Sequence, residues 1–211
     1  LLFCCRILCT EQPVRCFVFL YSRISAKRIL KAVICIVIIV METSPIRDGP
    51  LYYHYGVPKY LLENKISGVF LHKALDKNHP LLKGFGDTFF CPHSRHTEIR
   101  KEDVQKVEEL EILCESEEAG VHIISDLSQR QIFILGHCEY DRDTLAKEYQ
   151  RDIQRGLNPK KPRHYFPYGD VNAVPRFNWC CSANLLYANW LNHCVYQKTP
   201  YDLNKLEPIN I

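Results

Sequence analysis

The stretch Ile132-Phe-Ile-Leu-Gly-His-Cys-Glu-Tyr-Asp-Arg-Asp143 decides the fold, because it carries the chain from a strand into a helix. Its β-branched and aromatic start predicts a buried strand, which a glycine ends. His137 and Glu139 follow two residues apart, so in extended chain their side chains point to the same side. Asp141 and Asp143 are candidate N-caps for the helix. A base and an acid between a strand and a helix predict an active site at the carboxyl edge of an α/β sheet.

The segments on either side extend this succession of strands and helices. Residues 121–125 and 131–135 are predicted strands, and the five-residue loop between them suits a hairpin. Residues 143–155 are a predicted helix followed by a glycine. Residues 183–196 are a second predicted helix, with Ser182 as its N-cap. The apolar stripe of the first helix consists of Leu145, Tyr149 and Ile153.

The first hundred residues contain further predicted elements. Residues 68–72 are a predicted short strand, and residues 89–96 are a strand edge that runs into a polar turn. Residues 51–58 end in glycine and proline signals that are typical of the end of a helix. The ten apolar residues 32–41 favour a buried strand over a signal-peptide h-region, because the run is too short to span a bilayer and no cleavage site follows. Membrane association of the N-terminal segment stays open.

Composition restricts the classes of function. A net charge of +3 over 211 residues does not indicate a nucleic-acid partner. The 11 cysteines are odd in number and form no Cys-x-x-Cys pair, which argues against a disulfide framework and suits a reducing cytosol, so a cytoplasmic location is expected. The stretch Cys91-Pro-His93-Ser-Arg-His96 lacks a second ligand pair at zinc spacing, and no metal site is predicted.

His137 is the candidate general base and Glu139 the acid that orients it, because a base needs a group that fixes its tautomer. The alternative is a histidine at a strand end beside a solvated loop acid. Cys138 points to the opposite side and is interpreted as a small buried residue. Arg151 either pairs with Glu148 one turn away on the helix or grips a substrate carboxylate. No local pattern marks Lys65 or Ser94.

An ordered set of motifs resembles the homoserine O-acyltransferases of methionine biosynthesis, the family of homoserine O-succinyltransferase and O-acetyltransferase. The resemblance covers residues 51–205 almost continuously. The motifs are Leu51-Tyr-Tyr-His-Tyr-Gly-Val-Pro-Lys59, Lys65-Ile-Ser-Gly-Val-Phe70, Pro92-His-Ser-Arg95, Gly136-His-Cys-Glu-Tyr-Asp141, Leu145-Ala-Lys-Glu-Tyr-Gln-Arg-Asp152, Gly156-Leu-Asn-Pro159, Tyr165-Phe-Pro167, Asn184-Leu-Leu186, Asn189-Trp-Leu-Asn192 and Tyr196-Gln-Lys-Thr-Pro-Tyr-Asp-Leu203.

The resemblance implies an α/β fold similar to class I glutamine amidotransferases: a flavodoxin-like, mostly parallel sheet with helices on both faces, here incomplete. It divides the chain into residues 1–50, which do not resemble the family, and residues 51–211, the C-terminal part of the acyltransferase domain. The implied reaction is ping-pong transfer from acetyl-CoA or succinyl-CoA, through a cysteine thioester, to the hydroxyl of L-homoserine. The acyl-CoA is a co-substrate, and no cofactor, nucleic acid or membrane partner is expected. A homodimer is compatible with the resemblance.

The resemblance also assigns roles to single residues. His137 is the implied base and Glu139 its orienting acid. The implied substrate-binding residues are Lys65, Ser94 and Arg151, with Arg151 suited to the homoserine carboxylate. The aromatic segment that begins at Leu51 leans towards acetyl-CoA and leaves succinyl-CoA open.

The sequence departs from the family at the nucleophile. Counting back from residue 51 places the cysteine position on Ser44, followed by Pro45, which has no N–H to donate to an oxyanion. We therefore expect a chain that lacks the nucleophile, with a frame disruption or gene truncation behind residues 1–50. The alternative is a non-catalytic homoserine-binding remnant or interaction module. An amidotransferase-like hydrolase is disfavoured, because the family motifs outside the His/Glu pair all match.

Overall fold

The computed structural model describes residues 38–41 and 49–197, and for Ile38–Met41 it describes the backbone alone. The strands are β1 (Ile38–Met41), β2 (Tyr60–Ala74), β3 (Thr88–Glu98), β4 (Leu110–Ser116), β5 (Gly120–Asp126) and β6 (Gln131–Ile134). The helices are α1 (Pro50–Tyr55), α2 (Lys101–Val104), α3 (Thr144–Gln154) and α4 (Cys180–Asn189). Short 3₁₀ turns occupy Pro80–Leu82 and Pro167–Gly169, and a π-helical stretch, Trp190–Tyr196, continues α4.

The six strands form one sheet in the order β1-β6-β5-β4-β2-β3. Four of its five strand pairings are antiparallel, and only β1 with β6 is parallel. The predicted mostly parallel, flavodoxin-like sheet is therefore wrong for the described part of the chain. The physical reason is the short connections, since loops 117–119 and 127–130 reverse the chain, whereas a parallel neighbour needs a crossover of about a dozen residues or more.

The hairpin predicted around residues 121–135 is confirmed, and β5 pairs Ile123 with Ile134 of β6. The last three residues of β6 are fully buried, but on different sides of the sheet. Ile132 and Ile134 pack in one apolar cluster with Leu186 of α4, and Phe133 packs in another with Leu51 of α1. Burial on both faces explains why this strand is a continuous apolar run rather than an alternating one.

The sheet curls until the turn after β6 reaches the edge strand β3. The backbone N–H of His137 donates to the Pro92 carbonyl at 2.7 Å. Val69 of β2 faces Pro92 in the register but donates its N–H to Arg163 on the other side, so this pair is not hydrogen-bonded and the Pro92 carbonyl points away from β2. The base-bearing turn therefore closes against the outer edge of β3.

The predicted polar turn at the end of residues 89–96 is wrong, because β3 continues through it to Glu98. Arg95 is buried there, and its guanidinium donates to the backbone carbonyls of Thr97 and Ala119. Hydrogen bonds to backbone carbonyls allow a charged side chain to sit inside the curl, where the sequence pattern suggests a solvated turn.

The helices differ from their predicted bounds in detail. The helix predicted to end near Gly56 is confirmed as α1, and Gly56 has the left-handed φ of +69° that favours glycine. Asp143 precedes α3, but its side chain pairs with Lys147 at 2.6 Å and does not cap the helix. The predicted stripe of α3 is shorter than expected, since Ile153 is half exposed. The second helix begins at Cys180, ahead of the predicted cap Ser182.

The N-terminal apolar run is described in part. Its last residues form β1, as predicted for a strand, and residues 32–37 lie outside the described residues. The expected nucleophile position Ser44 lies outside them too. Within the described ranges, every helix is too short or too polar to cross a bilayer.

Candidate active site

The predicted base and acid are in contact in the turn after β6. Nδ1 of His137 lies 2.7 Å from Oε1 of Glu139. Because an ionised carboxylate can only accept, the proton of a neutral His137 sits on Nδ1, and Nε2 carries the lone pair. His137 is mostly buried while Glu139 is nearly half exposed. The pair thus has the geometry of an oriented general base.

The His137 ring is held from two sides. Its backbone is tied to Pro92, and its imidazole stacks on the phenol ring of Tyr140, with centroids 4.1 Å apart and planes 19° apart. Gly136, just before it, passes so close to β3 and β5 that an added Cβ would meet His93 Nε2 at 2.8 Å and Cys91 Sγ at 2.9 Å. Only a glycine lets the chain turn this tightly against the curled sheet.

Glu148 of α3 joins two of the predicted substrate-binding residues. Its Oε2 accepts a hydrogen bond of 2.5 Å from Ser94 Oγ and lies 3.3 Å from Lys65 Nζ. Its Oε1 accepts from the Tyr140 hydroxyl at 2.7 Å. We call Lys65, Ser94, Tyr140, Glu148 and Asp152 the Glu148 cluster. Through Tyr140, this cluster connects directly to the His137 ring.

Arg151 contacts an acid other than the one predicted. Its Nε and Nη2 donate to Asp152 Oδ1 at 3.0 and 2.9 Å, in place of the expected pairing with Glu148. Asp152 Oδ2 lies 3.6 Å from Lys65 Nζ, so the lysine bridges the two acids. The Arg151 side chain is about half exposed, at 49%. It therefore borders the Glu148 cluster with part of its guanidinium facing solvent.

The charges within the Glu148 cluster stabilise its ionised acids. Burial alone would raise the pKa of Glu148, but the hydrogen bonds from Ser94 and Tyr140 and the charge of Lys65 outweigh it and hold this pKa below the ordinary value. The pKa of Asp152 is lowered as well. Burial would raise it, but the hydrogen bond from Arg151 and the charges of Lys65 and Arg151 outweigh burial. Burial and the bond to Glu148 raise the pKa of the Tyr140 phenol, which stays protonated and donates. Two carboxylates and two cations therefore face each other.

The structure brings all five predicted site residues to one region. His137 and Glu139 are paired, Lys65 and Ser94 meet on Glu148, and Arg151 borders them through Asp152. The sequence interpretation missed Tyr140 and Asp152 and gave Glu148 the wrong partner. Lys65 and Ser94 lie 83 and 54 residues from Glu148 along the chain, so no local pattern could reveal these contacts.

A second group of side chains lies inside the curl, behind the base. Nδ1 of His72 lies 3.0 Å from the Phe70 carbonyl oxygen. Because a carbonyl can only accept, the proton of a neutral His72 sits on Nδ1. His72 Nε2 then accepts from His93 Nε2 at 2.9 Å, and Arg95 Nε donates to His93 Nδ1 at 3.4 Å. The chain of hydrogen bonds from Arg95 to Phe70 is thus internally consistent with two neutral imidazoles.

Three imidazoles in this group are fully buried: His72, His93 and His122. Burial lowers the pKa of His72 to about 3, with a smaller lowering from Arg95. Burial, then the neighbouring histidines and Arg95, hold the pKa values of His93 and His122 well below the ordinary value. Two thiols complete the group, and Cys91 Sγ lies 3.4 Å from Cys138 Sγ. Cys138 is buried, as predicted.

The sequence that carries these site residues matches a known protein family. The family model described as homoserine O-succinyltransferase matches residues 47–201, which contain every site residue described above. The chain belongs to the homoserine O-succinyltransferase family. The predicted resemblance is therefore confirmed.

Individual relatives agree with the family assignment. The chain is 54% identical over 156 residues to a homoserine O-acetyltransferase of Clostridium botulinum (strain Alaska E43 / Type E3), covering 74% of this chain and 51% of that protein. It is 53% identical over 160 residues to a homoserine O-acetyltransferase of Acetivibrio thermocellus, covering 76% and 52%. The chain thus spans about half the length of the curated relatives it matches.

Among solved structures, a glutamine amidotransferase from Thermotoga maritima superimposes with a TM-score of 0.44 at 12% identity, covering 67% of this chain and 56% of that one.

Proposed function

We propose that residues 49–197 form the homoserine-binding and general-base part of a homoserine O-acyltransferase that serves methionine biosynthesis. One observation carries the proposal: the oriented base His137 is connected through Tyr140 to Glu148, and from there to Lys65 and Ser94. The family match over the same residues supports it.

The charges of the site suit a small amino acid. Arg151 is half exposed and presents a planar guanidinium, which binds carboxylates in bidentate fashion. Glu148 and Asp152 are ionised acids that would receive an ammonium group. The substrate's carboxylate would replace Asp152 as a partner of Arg151, and its ammonium would take the place of Lys65 beside the acids. L-homoserine carries both groups and adds the hydroxyl that is to be acylated.

His137 would remove the proton from that hydroxyl. Its Nε2 holds the lone pair while Nδ1–H donates to Glu139, which stabilises the imidazolium that forms. The homoserine oxygen then forms a bond to the acyl carbon, and the carbon–sulfur bond of an acyl thioester breaks. The proton held by His137 passes to the departing thiolate. Base catalysis of this kind contributes about 10²–10⁴-fold in rate.

The choice of acyl donor is based on the names of the matched relatives and of the family model, and not on any contact in the site. The matched relatives are named O-acetyltransferases and the family model O-succinyltransferase. The proposal takes acetyl-CoA as the donor and keeps succinyl-CoA as the alternative. This chain is expected to lack the acyl-carrying thiol, because the expected cysteine position is Ser44, which Pro45 follows. We expect homoserine binding without turnover by the chain alone.

Calorimetry with a series of ligands tests the binding site. L-homoserine should bind the purified chain, and 4-hydroxybutyrate, which lacks the ammonium, should bind at least tenfold more weakly. L-2-aminobutyrate, which lacks only the hydroxyl, should retain most of the affinity. Equal affinity for all three ligands, or no binding by a folded chain, would contradict the proposed site.

Turnover is tested separately by following thiol release from acetyl-CoA or succinyl-CoA in the presence of homoserine. Binding without thiol release supports the non-catalytic homoserine-binding alternative for this chain. Robust release that survives Ser44→Ala but is lost in His137→Ala would instead show that another nucleophile, such as Cys138 or Cys35, takes the acyl group. The homodimer remains a prediction, which sedimentation of the same sample would decide.

A further inference from the structure

Three metal-binding side chains converge inside the curled sheet from distant parts of the chain. Cys91 comes from β3, His122 from β5 and Cys138 from the turn after β6, and all three are buried. Cys91 Sγ lies 3.4 Å from Cys138 Sγ, and Cys138 Sγ lies 3.9 Å from His122 Nε2. The three ligand atoms all lie within 4.8 Å of one another.

These separations suit a tetrahedral zinc ion. Zinc binds thiolate sulfur at about 2.3 Å and imidazole nitrogen at about 2.0–2.1 Å, which places two sulfur ligands about 3.7 Å apart and a sulfur and a nitrogen about 3.5 Å apart. The Cys91–Cys138 and Cys138–His122 distances differ from these values by a few tenths of an ångström, and the Cys91–His122 separation is at most 4.8 Å.

Hydrogen bonding within the described ranges leaves His122 unsatisfied, whereas the Cys91 thiol lies 3.5 Å from the Pro92 carbonyl. His122 is fully buried, and its Nδ1 has no hydrogen-bond partner among the described residues. The only hydrogen-bond contact of its Nε2 among them is the long one to Cys138. A neutral imidazole has one donor and one acceptor, and leaving either unpaired in the interior costs about 1–3 kcal/mol. A bond from Nε2 to a metal ion would supply a strong partner for the acceptor.

The backbone also passes close to these side chains. Gly136 faces Cys91, His93 and His122, and the position of its missing Cβ lies 2.8 Å from His93 Nε2 and 2.9 Å from Cys91 Sγ. A side chain on residue 136 would collide with two of the proposed ligands, Cys91 and His122. His93 is thereby a further nitrogen close to the proposed ligands.

We propose that Cys91, His122 and Cys138 bind a divalent zinc ion. Binding forms two metal–sulfur bonds and one metal–nitrogen bond, and the two thiol protons pass to solvent. The ion would connect β3 and β5 to the turn that carries His137 and Glu139. The site goes beyond the acyltransferase proposal, because its occupation can be measured without homoserine or acyl-CoA.

The proposal revises the prediction of no metal site made from the sequence. Cys91-Pro-His93-Ser-Arg-His96 lacks a second ligand pair along the chain, but folding brings Cys138 and His122 to the first cysteine. His96, which completes the sequence stretch, is exposed and takes no part.

Cobalt substitution tests the site on the full-length chain. The metal-free, reduced chain is titrated with Co²⁺, and a thiolate-to-cobalt charge-transfer band should grow to one equivalent and disappear on addition of Zn²⁺. Cys138→Ala should lose the band. Cys114→Ala is the matched control, because Cys114 is equally buried in the same apolar cluster but is outside the ligand set, and it should keep the band. No band from a chain with native circular dichroism would overturn the proposal.

A second measurement avoids variants that fail to fold. X-ray absorption of the zinc-loaded, unmutated chain should show two sulfur ligands at about 2.3 Å and nitrogen at about 2.0 Å. A first shell of oxygen and nitrogen only, or of four sulfurs, would overturn the assignment, as would a cobalt band that survives Cys138→Ala.

Discussion

Ser94 of β3 donates a hydrogen bond of 2.5 Å to Glu148 of α3, and this bond fastens the helix to the edge of the sheet beside the base. The same carboxylate receives the Tyr140 hydroxyl and the Lys65 ammonium. Glu148 therefore joins β2, β3 and the turn after β6, and in the proposed function its negative charge also binds the ammonium of the amino acid. The first prediction separates these two contributions.

Glu148→Gln should weaken L-homoserine binding roughly tenfold to a hundredfold, since a hydrogen bond to a charged group contributes about 1.5–3 kcal/mol. The amide can still accept from Ser94, but it no longer attracts an ammonium. Calorimetry should show little change for 4-hydroxybutyrate, which has no ammonium. Glu102→Gln, at an exposed position on α2, is the control and should leave both affinities unchanged. Equal weakening for both ligands would indicate collapse of the site rather than loss of a charge.

Glu139→Ala should change the tautomer of His137. The carboxylate holds the proton on Nδ1 in the native chain, and without it both neutral tautomers become accessible. Long-range ¹H–¹⁵N NMR of the imidazole should show an Nδ1–H tautomer in the native chain and a mixture in the variant. Asp141→Ala, an exposed acid of the same turn, should retain the native spectrum. A native chain with its proton on Nε2 would contradict the orienting role of Glu139.

Gly136→Ala should destabilise the chain by about 1–3 kcal/mol, the usual cost of overpacking a core. The added Cβ would meet His122, His93 and Cys91 at less than 3 Å, and these neighbours are buried side chains of two strands, β3 and β5. Urea unfolding followed by circular dichroism measures the change. Gly86→Ala is the matched control, because its Cβ would meet Thr88 O at an ordinary 3.5 Å. Equal stability of the two variants would show that the turn can relax.

Stability should fall as the pH drops below about 6.5, the ordinary histidine value, because the unfolded chain then takes up protons that the folded chain refuses. The pKa of His72 in the folded chain is lowered to about 3. The stability that depends on a neutral His72 is therefore fully present above pH 6.5 and is lost progressively as the pH falls towards 3. The slope is about 1.4 kcal/mol per pH unit for each buried histidine.

Urea midpoints between pH 5 and 8, measured with a chelator present, test this dependence. His72→Gln should flatten the slope below pH 6.5 whatever its effect on absolute stability. His54→Gln, at an exposed position on α1, should keep the native slope. An unchanged slope in His72→Gln would mean that His72 is protonated in the folded chain or that its surroundings admit water.

The sequence predicts those features of the fold and the site that depend on neighbouring residues along the chain. The apolar run of β6 predicts a strand because both faces of the sheet bury it, and the spacing of His137 and Glu139 predicts their contact because neighbours two apart share a side. The mostly parallel sheet that the family resemblance implies is wrong for the described part of the chain. The predicted hairpin at residues 121–135 already implied an antiparallel pair.

The remaining contacts depend on the folded sheet. Arg95 lies in a segment whose sequence predicts a polar turn, but it is a buried cation in β3. Its burial is possible because the curled sheet brings the backbone carbonyls of Thr97 and Ala119 within hydrogen-bond distance of its guanidinium. Glu148 meets Ser94 across 54 residues, and Cys91 meets Cys138 across 47. Such encounters follow from strand order and curvature, which no spacing along the chain encodes.

The hydrogen bond between His137 and Pro92 has a consequence for how the protein behaves at high concentration. An edge strand offers unpaired donors and acceptors to which a strand of another molecule can add, and this is a common route to aggregation. At the centre of β3 the proline has no N–H to offer, and the His137 backbone already occupies its outward carbonyl. The turn that carries His137 thus also covers the middle of this edge, where a strand of another molecule would otherwise add.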